Sequence, residues 1–229
     1  MKKVVFSSLI ILFSLFMLAS CLSFKNTDID AITSDGKPIW AVEIPKSTKC
    51  LYGVGYAHFT NQQNSESAAY TKASADIARQ IRQSIQEATA VYTNEASESV
   101  VEATEQITIR TVDLTLQGIV TERKWVADNG TVWFLLSLPV KDIPKILELE
   151  ANNYKNQLEE RKLDIEASIV AALSATDIPD GITKEEWNNQ VNSYANSQLK
   201  NLEDTSVAIN PEEMGKKIKN QYLSKGYSL

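Results

Sequence analysis

An α+β fold is predicted, and three observations predict it. An aromatic strand with alternate glycines stands at residues 51–57, Leu51-Tyr52-Gly53-Val54-Gly55-Tyr56-Ala57. A stripe of alanine and isoleucine at steps of three and four follows it, which is helical periodicity. Asp128-Asn129-Gly130 then lies between two apolar runs, the strongest short-range hairpin signal in the chain. In order these give a β-α-β-β core: a long helix on a sheet of about three mainly antiparallel strands, with a helical C-terminal region behind it.

Composition bounds the rest. The chain has 229 residues with 43% hydrophobic content, enough for a real core and against global disorder. Its formal charge is -6. An acidic body does not suit nucleic acid or anionic lipid surfaces, which attract basic patches.

The first residues set the compartment. Met1-Lys2-Lys3 is a positive start, residues 4–17 are apolar, and Leu18-Ala19-Ser20-Cys21 ends the stretch. The apolar run is short of the roughly 20 residues that a spanning helix needs. Leu18-Ala19-Ser20-Cys21 resembles the bacterial lipoprotein lipobox. The resemblance implies cleavage between Ser20 and Cys21 and lipidation of Cys21. An uncleaved anchor or a plain signal peptide is the competing reading. Two or more acyl chains give stable anchoring, whereas one holds only marginally. Cleavage would remove Lys2 and Lys3 and no acid, moving the charge from -6 to -8. Leu22 is not the Asp associated with inner-membrane retention in some bacteria, which leans toward the outer membrane.

The expected organisation is a signal peptide at 1–20, a lipidated cysteine and polar tether at 21–37, an α+β domain at 38–140 and a helical extension at 141–229. Pro38-Ile39-Trp40 opens the ordered part, with Trp40 as a packing anchor or, as the weaker alternative, a ligand-stacking ring. With Cys21 lipidated, Cys50 has no intrachain partner and reads as a small buried hydrophobe, with intermolecular pairing as the alternative. Gly53 and Gly55 share one pleat face, where a helix can lie close. No third glycine or tight turn follows to make them a nucleotide site.

The helical stripe runs Ala69, Ala73, Ile77, Ile81, Ile85, Ala88 and Tyr92, with Arg79 and Arg82 off it and solvated. The helix continues, with or without a break, to about Ile109. Glu95, Glu98, Glu102 and Glu105 read as a solvated face rather than a metal site. Leu114-Thr115-Leu116 and residues 118–126 form the first hairpin arm, and residues 131–140 the return. The return arm is apolar on both faces, so it takes the central place.

From Asp142 the pattern is helical again, and Ile178-Pro179-Asp180-Gly181 breaks it. Thr183-Lys184-Glu185-Glu186 resembles a capping box, and Trp187, Val191, Tyr194 and Leu202 give the next stripe. Pro211-Glu212-Glu213 starts a last short helix. This region either packs back on the sheet or forms a partner surface.

The central pattern is P-x-W, a proline-broken gap, an aromatic-glycine strand, an Ala/Ile/Arg helix and a hairpin. Here these are Pro38-Ile39-Trp40, residues 51–57, residues 73–85 with Ala78-Arg79, and residues 114–139. Over residues 38–140 this resembles the LPP-twenty lipoprotein family, whose relatives include flagellum-associated outer-membrane lipoproteins. The resemblance implies a small α+β domain in the bacterial envelope and brings no catalytic residues.

No catalytic, cofactor-binding or metal-ligating set emerges. The expected partners are a membrane, through the Cys21 lipid, and a protein partner or further copies of the chain through an exposed sheet edge; nucleic acid is not expected. A lipid-anchored solute-binding protein is the alternative, although it would call for a larger two-lobed body. An envelope hydrolase is the third reading. It would have to be built on His58, the single histidine, in a polar loop.

Overall fold

The computed structural model describes residues 31–93 and 96–229. The chain divides into two units, Met1–Val42 and Glu43–Leu229. In the first, a bridge joins Ile32 to Pro38, the Thr33 N–H donates to the Lys37 carbonyl at 2.8 Å, and Gly36 takes φ 72. The stretch read as the end of a polar tether is therefore a closed turn, because Asp35-Gly36 supplies turn chemistry. Helix α1 (Ile39–Val42) follows, with Trp40 only 4% exposed.

The second unit carries the α+β core. Strand β1 (Cys50–Ala57) leads to α2 (Gln62–Thr93), α3 (Glu98–Leu116), β2 (Val120–Val126) and β3 (Val132–Pro139). Both pairings are antiparallel and the order is β1-β3-β2. β3 is central and buried along its length except at Pro139, as its two apolar faces require. Among the described residues this is a three-stranded sheet with helices, an α+β fold with a helical C-terminal region.

Helix α2 lies on the sheet face that carries Gly53 and Gly55. Asn61 starts the helix, its Oδ1 accepting from the Gln63 N–H at 2.8 Å. Ala69, Ala73, Ile77, Ile81 and Ile85 on its inner face are fully buried. Burying each large apolar side chain contributes about 1.5–3 kcal/mol.

After Thr93 a separate helix begins at Glu98, the broken form of the two that the sequence allows. Two placements differ from the sequence reading. That helix runs on through Leu114-Thr115-Leu116, which the sequence assigns to the hairpin. The reason is a buried threonine stripe. Thr104, Thr108, Thr111 and Thr115 each donate Oγ1 to the carbonyl four residues back at 2.6–2.8 Å. That satisfies their hydroxyls inside a helix and lets a β-favouring residue pack there. Finally, Cys50 has no disulfide partner among the described residues and is only half-buried, because it sits at the first position of β1 on the face turned away from α2.

Helices α4 (Ile143–Ser174), α5 (Lys184–Ala208) and α6 (Pro211–Ser224) complete the unit. They pack back on the core. α4 lies on α3, α5 and α6, and α6 also lies on α2. Ile143, Leu147, Ile218 and Tyr222 join one hydrophobic cluster with Ile77, Ile81 and Leu136.

Candidate functional site

Ser20, Cys21 and Glu95 lie outside the described residues. The remaining site residues are placed as follows. His58 is exposed beside the hairpin turn, and its ring makes no hydrogen bond among the described residues. A Cβ built on Gly130 would meet its Cε1 at 3.6 Å. Glu98, Glu102 and Glu105 are exposed on α3, with Glu105 at 3.9 Å from Arg82. No group of three acidic, cysteine or histidine side chains is set to hold a metal among the described residues. Cys50 borders a cleft of about 430 Å³ with Tyr52, Arg79 and Tyr227. Burial there, together with Cys50 and Glu122, pushes the Tyr52 phenol above its usual range.

The two sheet edges differ. Two outward carbonyls of β1 are engaged by its covering helix: Gln80 Nε2 donates to that of Tyr52 at 2.8 Å, and Lys72 Nζ to that of Tyr56 at 3.1 Å. The β2 edge is solvated and carries Glu122, Arg123 and Lys124, with a bulge between Thr121 and Arg123. Ser137 Oγ donates to Glu122 Oε1 at 2.6 Å, fixing the bulged residue. Charges and bulges are devices that keep an edge from pairing.

A different surface is left for partners. No residue of α4 beyond Leu158 is buried, and α5 buries only Ala195 and Thr205. The second half of α4 and the first half of α5 therefore form a two-helix arm. Sixteen residues of helix, Glu159 to Ser174, extend about 24 Å. The Trp187 indole N–H donates to the Ala172 carbonyl at 3.0 Å, and the Thr183–Glu186 capping box starts α5. Leu163, Val170 and Tyr194 stand 63%, 66% and 70% exposed on the arm. Leu163 and Val170 are seven residues apart and share a face.

Sequence reasoning passed over a second surface, where the N-terminal parts of α4 and α6 meet. Lys141 and Lys145 come together there with Lys216 and Lys219. The four- and three-residue spacings were the available signal, but only the fold joins the two pairs.

The architecture defines a class: an α+β body of one helix-backed antiparallel sheet, extended by a helical arm. Among the described residues no helix is long and apolar enough to cross a membrane. No family model matches the chain, and no curated protein matches it. Among solved structures it is similar to the secreted protein HP1454 from Helicobacter pylori, at 13% identity with a TM-score of 0.27. The match covers 69% of this chain and 53% of that one, so the chain spans about half of that protein's length.

Proposed function

We propose that this chain is a non-catalytic bacterial envelope lipoprotein, anchored through Cys21, whose body serves as a protein-binding or self-assembly module. The observation that carries the assembly reading is the α4–α5 arm, which presents Leu163, Val170 and Tyr194 to solvent beyond the core. Exposed large apolar residues that share a helix face are what a partner helix packs against. The resemblance to the LPP-twenty family supplies the setting, an outer-membrane or flagellum-associated structure.

Two measurements test it. Mass spectrometry of the purified envelope protein should find an N-terminal Cys21 carrying lipid. Cross-linking in the envelope should give a defined adduct that Leu163→Arg with Val170→Arg abolishes while leaving the thermal midpoint unchanged. An unmodified Cys21 removes the anchor, and an adduct indifferent to the arm removes the assembly surface.

A further inference from the structure

The N-terminal parts of α4 and α6 form an open trough of about 650 Å³. Its floor is Gly215. A Cβ there would stand 3.2 Å from the Pro144 carbonyl and from Glu148, so the glycine lets the two helices approach closely. Four exposed lysines line it: Lys141 and Lys145 four residues apart on one side, Lys216 and Lys219 three apart on the other. None of the four makes an ion pair among the described residues. Glu148 and Glu212 are the acidic side chains in the lining, so the trough is locally cationic on a chain whose formal charge is -6. Leu149 lies in the same lining and is 53% exposed.

We infer that this trough binds the phosphate head groups of anionic lipids at a membrane surface. Unpaired ammonium groups on both walls are complementary to phosphate. The trough is open to solvent rather than enclosed, which suits a planar array of head groups better than a small free anion. Leu149 can reach the apolar boundary beneath those head groups while the neighbouring lysines extend to phosphates. The inference goes beyond the proposed anchor and rests on it only for bringing the body near a membrane. The overall negative charge opposes this face little, because exposed charges more than about 8–10 Å away are screened at physiological salt.

The test compares equilibrium partitioning of the full chain into phosphatidylcholine vesicles and into vesicles with 30% phosphatidylglycerol. A lipid anchor contributes equally to both, so uptake by neutral vesicles reports the anchor and the ratio reports the head groups. Each basic residue near an anionic surface is worth roughly fivefold. Two lysines in excess of the glutamates predict a preference of about twentyfold at low salt. Lys145→Gln with Lys219→Gln should bring the ratio close to one, and Lys141→Gln with Lys216→Gln provides a second pair should the first misfold. The same number of changes on the arm, Arg161→Gln with Lys162→Gln, should leave it unchanged. A wild-type ratio near one, or equal losses in the arm variant, overturns the inference. If 10 mM inorganic phosphate abolishes the preference at matched ionic strength, the trough is a site for free phosphate and the lipid assignment fails.

Discussion

Gly55 lies so close to Ala69 that a Cβ on the glycine would be driven into the Ala69 carbonyl oxygen and the Ala73 nitrogen. Both obstacles are helix backbone, which cannot turn aside as a side chain can. Gly53 stands in the same relation to the Ala73 carbonyl, with Ile77 Cγ1 at 2.8 Å from its would-be Cβ. Gly55→Ala should therefore sit at or beyond the top of the usual overpacking range, a loss of about 3 kcal/mol or more. For a domain of this size that corresponds to a fall of roughly 6–12 °C in thermal midpoint, read by calorimetry. A drop below about 2 °C would mean that α2 does not seat on the glycines.

Glu87 fastens α6 to α2. Its carboxylate takes Lys225 Nζ at 2.7 Å and Gln221 Nε2 at 2.5 Å. The Lys225 hydrogen bond, with further help from Gln83 and Gln221, holds Glu87 below the usual carboxylate range. A carboxylate lowered in the folded state contributes fully above its unfolded value of about 4.3 and loses that contribution as pH falls through the lower folded value. Both side chains are over a third exposed, so the pair is worth about 1 kcal/mol at most. In urea titrations, wild type should exceed Glu87→Gln by up to this amount at pH 7, and the gap should close below pH 3. A gap that persists at pH 2 would assign the effect to packing.

Thr183 controls the tip of the arm. Its hydroxyl accepts from the Glu186 N–H, while the Glu186 carboxylate accepts from the Thr183 N–H at 2.8 Å. That hydrogen bond from the Thr183 backbone holds Glu186 below the usual carboxylate range. Thr183→Ala should cost about 1 kcal/mol of local helix stability. Because the arm lies beyond the buried core, the change should appear as faster amide exchange over the first turn of α5, with the global midpoint nearly unmoved. Uniform acceleration across α2 would show instead that the arm unfolds with the core.

Tyr222 is fully buried, and its hydroxyl has no hydrogen-bond partner of regular geometry. Burial pushes the phenol far above its ordinary range, and Ser84 offsets only part of that. The ring, by contrast, packs edge-on against Tyr227 at 5.5 Å. Tyr222→Phe should be neutral or stabilising, since a desolvated hydroxyl is removed and the ring kept. Tyr222→Ala should cost about 3–5 kcal/mol. Denaturant midpoints of the two variants separate the contributions, and a loss above about 1 kcal/mol in the phenylalanine variant would reveal a hydrogen bond from the hydroxyl.

Much of the core was legible because it obeys simple periods. The Asn129-Gly130 turn fixed the hairpin, with Gly130 at φ 83, and the two-faced apolar run of β3 fixed its central place. The Ala/Ile stripe and the alternate glycines announce a close helix-on-sheet contact. Leu114-Thr115-Leu116 misled because threonine favours strands on its own. Only a buried helix face lets Thr111 and Thr115 turn their hydroxyls back on the helix. Trp40 was read as a packing anchor and is 4% exposed, whereas Cys50 was read as buried and keeps part of its surface in solvent. A strand's first residue has a neighbour on one side only, and local pattern does not record which side.

The sequence by itself determined most of the elements and the strand that takes the centre. These follow from local propensity, period and motif, which neighbouring residues set among themselves. The tertiary structure alone decided which surfaces face the world. It set Lys72 and Gln80 on two carbonyls of the β1 edge, carried Leu163 and Val170 beyond the core, and brought Lys141 and Lys145 to Lys216 and Lys219. Such juxtapositions join residues up to seventy-odd positions apart, and the lysine pairs meet through the packing of α4 and α6 over Gly215, which no local pattern encodes.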